Sequence, residues 1–222
     1  HTEPIRGFIR WYKGFQDEDG RIPDCVDRQG AEWLPEFDAY GQFLYAVMEY
    51  YRFTRDRGFL EELRPAVAKT LAFVEGLLAQ RLTEEYRSPE KRAFYGILPE
   101  SMSHEGYMAH PVHAYWDDFW ALRGFRDAAA MAEVLGDRAE AERLGGMRDR
   151  FSENLRASLC AAISRHAIDY VPGSAELGDF DPAATSVALS PLDQLSVLPR
   201  PEIDRTFDKY MAGFRERCSG TV

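Results

Sequence analysis

The residues best equipped for chemistry fall together between Tyr95 and Trp120, in the run YGILPESMSHEGYMAHPVHAYWDDFW. The run holds Glu100 and Glu105, His104, His110 and His113, the adjacent Asp117 and Asp118, and Trp116 and Trp120 with Tyr115 beside them. Carboxyl groups donate or accept protons, and a nearby apolar wall raises the pKa of one toward that of a working acid. Aromatic planes pack well against the C–H faces of sugar rings. A loop of such residues held by rigid helices is a common way to build a binding or catalytic site. A second group, Trp33, Glu36 and Asp38, stands where another loop enters a helix.

Each group also has an ordinary explanation. Acids at a helix start, such as Asp117 and Asp118, are favoured by the helix dipole whatever the function. Trp116 and Trp120 are one helical turn apart, as core residues would be. Trp33, Glu36 and Asp38 stand where capping residues belong, and a loop glutamate is often only solvated. The three histidines with Asp117 do not have the H-E-x-x-H spacing, and Pro111 interrupts them, so neither a metal nor a cofactor is expected. A later loop adds Glu176, Asp179 and Asp181, as rim residues or as caps.

The elements that must position these residues read as helices. Apolar residues mark helices over Pro4–Gln16, Glu36–Asp56, from after Arg57-Gly58 to about Leu82, His113–Leu135, Arg138–His166, Ala183–Leu195 and Glu202–Arg217. In the third of these, Leu60, Leu63, Val67, Leu71, Val74 and Leu78 make a narrow stripe. The second and fourth are apolar over most of their circumference, the mark of inner helices. Long loops follow the first, third and fifth helices, whereas tight turns follow the second and fourth. Helices joined by tight turns run antiparallel, so all three long loops emerge at one end. No strand pattern of comparable length appears. The expected class is all-α, with antiparallel helical hairpins arranged as an α/α toroid.

Composition limits the partners. The 222 residues are 45% hydrophobic and 29% charged, enough for a real core, and the formal net charge is −10. Such a surface repels phosphates, which argues against nucleic acid and anionic membranes. No apolar run approaches the roughly 18 residues of a membrane span. Cys25, Cys160 and Cys218 lie far apart with no CxxC, as thiols rather than a disulfide framework or zinc site.

The runs PEFDAYGQFLYAVMEYYRFTRD, YGILPESMSHEG and YWDDFWALRGFRDAAAMAEVLGDRAEAERL together resemble the catalytic domain of glucoamylase-type glycoside hydrolases. More broadly the chain resembles the six-hairpin glycosidases, which share an (α/α)6 barrel. The resemblance covers Pro35 to about Leu155. It implies that Asp38-Ala-Tyr-Gly41 is the family's D-x-x-G segment opening an inner helix, and that Glu105 is the general acid, with Glu100 as runner-up. It also implies Trp33, Asp38, Tyr115, Trp116, Asp117 and Asp118 near a carbohydrate substrate. These enzymes invert configuration, with acid and base about 6.5–9.5 Å apart so that water fits between. His104 replaces the tryptophan usually beside the acid. The family's barrel has twelve helices, so residues 1–222 are expected to form one helical domain that is part of a larger barrel. The base would come from the remainder. The alternative is a non-catalytic carbohydrate-binding or scaffolding helical domain.

Overall fold

The computed structural model describes residues 2–104 and 106–220. Seven α-helices are seen among them: α1 (Glu3–Lys13), α2 (Asp38–Thr54), α3 (Arg57–Ala79), α4 (Tyr115–Leu135), α5 (Arg138–His166), α6 (Pro182–Leu189) and α7 (Glu202–Ser219). The chain is predominantly helical, as expected. One feature the sequence did not suggest is a hairpin in the first long loop. Its strands β1 (Cys25–Asp27) and β2 (Gly30–Glu32) pair antiparallel, with Val26 opposite Ala31. Asp27 accepts the Gln29 N–H at 2.7 Å and Gly30 takes φ +125°, which together close the turn.

Two tight turns are built alike. Arg55 and Gly136 both take the left-handed conformation, and the aspartate that follows each one caps the next helix. Asp56 accepts the Phe59 N–H and Asp137 the Glu140 N–H. The first turn thus falls at Arg55–Asp56 rather than at Arg57–Gly58, because Asp56 is the better cap. Likewise α6 ends at Leu189 rather than near Leu195, since Pro191 has no N–H to continue it.

Helix α4 is central and packs against α2, α3, α5 and α6. Its contact with α2 is backbone to backbone. A Cβ on Gly41 would lie 2.1 Å from the Trp120 carbonyl oxygen, and one on Gly124 would lie 3.2 Å from the Gly41 Cα. Only glycine lets these helices approach so closely. Around this crossing a continuous core runs through Phe43, Leu44 and Val47 of α2, Phe119 and Phe125 of α4, and the inner stripes of α3 and α5.

The long loops are stitched together at one end. Ser101 pairs with Val112, and Ala114 with Ser174, as isolated antiparallel bridges. The Met102 N–H donates to the Pro35 carbonyl at 3.0 Å, and the Tyr115 N–H to that of Gly173 at 2.9 Å. The Tyr107 hydroxyl donates to Asp179 at 2.7 Å. Among the described residues no helix is long and apolar enough to cross a membrane.

Candidate functional site

The stitched end brings the N-termini of α2 and α4 side by side. Asp38 is the first residue of α2 and is 4% exposed. One oxygen of its carboxylate accepts the Trp116 indole N–H at 2.8 Å and the Gln42 amide at 2.7 Å. The Trp116 ring is half-buried and lies parallel to His104, with centroids 5.5 Å apart. Asp38, Trp116 and His104 thus form one surface with a polar foot and an aromatic wall.

Asp117 lies behind it, 1% exposed. It accepts the Ser101 hydroxyl at 2.6 Å, the Ser103 hydroxyl at 3.1 Å and the Phe37 N–H at 3.4 Å. Asp117 thus ties the loop 101–104 to the start of α2, which has no side-chain cap of its own. Burial, and then the charge of Asp38, push its pKa well above the ordinary carboxylate range. Asp38 is raised as well, chiefly by burial, though the Trp116 hydrogen bond and His104 oppose this. Burial and the nearby charge thus favour the protonated form of these acids. Glu36, half-buried on the same rim, is also raised by burial and by the charges of Asp38 and Asp24.

Several expected roles change. Glu105 lies outside the described residues. On either side of it Ser103 and Gly106 take positive φ, and the Gly106 N–H donates to the Ser103 carbonyl at 3.0 Å. Glu100 is ill suited to be a proton donor. Burial raises its pKa, but its own backbone N–H, His113 and Arg81 outweigh this and hold it below the usual range. Tyr115 does not face a ligand: it is fully buried and its hydroxyl meets Ser158 at 2.9 Å. Asp118 is also fully buried and accepts the Leu98 N–H at 2.9 Å, so it anchors the loop rather than meeting a sugar. Asp117 is equally enclosed and positions its neighbours. Trp33 is 38% exposed, and its ring lies under the Arg21 guanidinium at 5.1 Å.

The sequence reading passed over Ser101 and Ser103, whose i, i+2 spacing aims both hydroxyls at Asp117. It also passed over a buried polar chain in the second and third loops. Arg81 Nε donates to His113 Nε2 at 3.1 Å, so His113 Nδ1 carries its hydrogen toward Glu176 at 2.5 Å. Arg81 also pairs with Glu100. Glu100, His113 and Glu176 are close enough to hold a cation, but the Arg81 guanidinium already supplies the positive charge there. Arg81 is far from these residues in sequence, and no spacing rule reveals it. No family model and no curated protein matches the chain, so the reading of this site rests on its geometry.

Proposed function

We propose that this domain is glycoside hydrolase-like and acts on a glucoside or related oligosaccharide by inverting acid–base hydrolysis. The observation that carries the reading is the convergence of Asp38, Trp116 and His104 at the paired N-termini of α2 and α4. The loop in front of them is pinned by Asp117. A carboxylate beside an aromatic wall can bind sugar hydroxyls from the side while the ring face rests on the indole. Glu105, carried by that loop, would protonate the leaving oxygen. A second carboxylate would activate water on the opposite face.

In the same proposal the helical hairpins form part of an (α/α)6 toroid, with α2, α4 and α6 on the inner ring and α3, α5 and α7 outside. The remainder of the barrel would supply the base. Hydrolysis of glucosides by the full-length protein, followed as released glucose, tests the proposal. Glu105→Gln should abolish turnover while leaving sugar binding intact, whereas Asp38→Asn should weaken binding itself. Near-normal turnover in Glu105→Gln would refute the assignment.

A further inference from the structure

Toward the other end of α4 from Asp117, a pocket of about 220 Å³ opens where α3, α4 and α5 come together. Val67 and Leu71 of α3, Met131 of α4 and Leu144 of α5 form its apolar wall, and all four are buried. Ala68, Ala128 and Ala132 line it as well. The charged groups stand at the rim and are already paired. Arg64 meets Asp137 at 2.5 Å, and Glu140 meets Arg143 at 2.8 Å.

The three alanines carry the argument. Apolar volume that side chains leave unfilled destabilises a fold, because the lining atoms lose dispersion contacts. Packed interiors hold few voids larger than a water molecule, whose share of the liquid is about 30 Å³. A leucine in place of any of these alanines would reach into the space, yet the chain keeps all three small. Water is a poor filling, since it needs two to four polar partners and a wall of Val, Leu, Met and Ala has none. A dry apolar cavity of about 150 Å³ takes up benzene, so this one has room for a slightly larger apolar molecule. Its rim pair Arg64–Asp137 is exposed, and such pairs hold weakly, so the mouth can part to admit a ligand.

We infer that this pocket is a binding site for a small uncharged apolar molecule, a ring or short chain of about six to eight carbons. The inference is independent of the carbohydrate reading. It needs only α3, α4 and α5, and it assigns the alanines a use that packing alone does not give them.

Full-length protein labelled with 13C-methyl methionine reports on the wall through Met131, and Met131→Leu assigns the signal. Toluene and cyclohexane serve as uncharged probes, and benzoate as a charged one of similar shape. The uncharged probes should shift Met131 saturably and leave Met102 and Met108, on the second long loop, unmoved. Ala132→Leu fills the pocket and should weaken toluene about tenfold or more, since the added side chain takes the ligand's volume. Ala68→Phe, at an exposed position on the mouth, should block entry without disturbing the core, so the test does not depend on Ala132→Leu folding. A Met131 shift that never saturates, or that moves all three methionines alike, overturns the site. So does undiminished toluene binding in Ala132→Leu, or in Ala68→Phe where that is the variant that folds. Benzoate binding as tightly as toluene would mean that Arg64 reads an anion, and overturns the uncharged class.

Discussion

The same helix pair, α2 and α4, buries carboxylates at both of its ends, and the two ends treat them differently. At the far end Asp127 is fully buried and is held by two arginines. Arg123 Nε donates to it at 2.8 Å, and Arg52 pairs with its other oxygen. Glu49 completes the set, accepting from Arg52 at 2.7 Å and from Arg123 at 3.3 Å. At the loop end Asp38, Asp117 and Asp118 are just as enclosed, yet each of the three is held by neutral donors. Unpaired buried charge is expensive, so a fold with no other use for these acids would have paired them too. The contrast separates charge that holds the helices together from carboxyls that burial pushes toward the neutral form at the loop end.

The largest expected effect breaks the paired end. Arg123→Ala leaves Asp127 with Arg52 alone and strips the donors from the Pro191 and Leu192 carbonyls, which Arg123 reaches at 3.1 and 3.2 Å. Loss of about 3–5 kcal/mol of stability is expected, as for other broken buried pairs. Urea denaturation measures it, and a loss under 1 kcal/mol would mean that the network is ornamental.

Next comes the crossing that sets the distance between the two ends. Gly41→Ala places a methyl group against the Trp120 carbonyl. Destabilisation of about 1–3 kcal/mol is expected from overpacking, since neither backbone has room to move independently. Sugar binding should weaken as well, because Asp38 and Trp116 sit on opposite sides of the crossing. A variant with unchanged stability would show that the two helices do not approach as described.

How far the sequence foretold this depends on the kind of interaction. Helix identity was legible, because the stripe from Leu60 to Leu78 repeats with one period. Loop parity was legible too, since tight turns force neighbours antiparallel. Which acid takes which partner was not. Asp117 and Asp118 are adjacent in the sequence and both look like dipole-favoured helix starters, yet one binds two serines and the other a backbone N–H. Those partners are set by where the loop 98–103 crosses the helix, a tertiary fact. Arg81 escaped for the same reason. Gly41 was legible as part of a family motif. Its physical use, a contact with a carbonyl 79 positions away, needs the packed pair.

The loop end should respond to neutralisation in the opposite sense. Asp117→Asn keeps an acceptor for Ser101 and Ser103 but removes a carboxyl whose ionisation burial disfavours. Stability at pH 7 should stay within about 1 kcal/mol or rise, the usual trade where a site carries strain for function. Carbohydrate turnover should fall. Asp127→Asn makes the same chemical change at the paired end and should destabilise strongly. Equal losses at both positions would erase the distinction between the ends.

The smallest effect is a slope with pH. The folded-state pKa of Asp117, like those of Asp38 and Asp118, is raised above its unfolded value. The folded protein therefore holds more protons than the unfolded chain once pH exceeds about 4, the ordinary aspartate value. Stability from these groups is complete below that pH and declines as pH rises toward the folded-state pKa. Each fully shifted carboxyl contributes a slope of up to about 1.4 kcal/mol per pH unit within its window. Urea midpoints from pH 4 to pH 7 should fall for the native chain and fall less steeply for Asp117→Asn, with its pairing partners unchanged. Parallel curves would mean that Asp117 titrates alike in both states, and the loop end would then differ from the paired one in its donors alone.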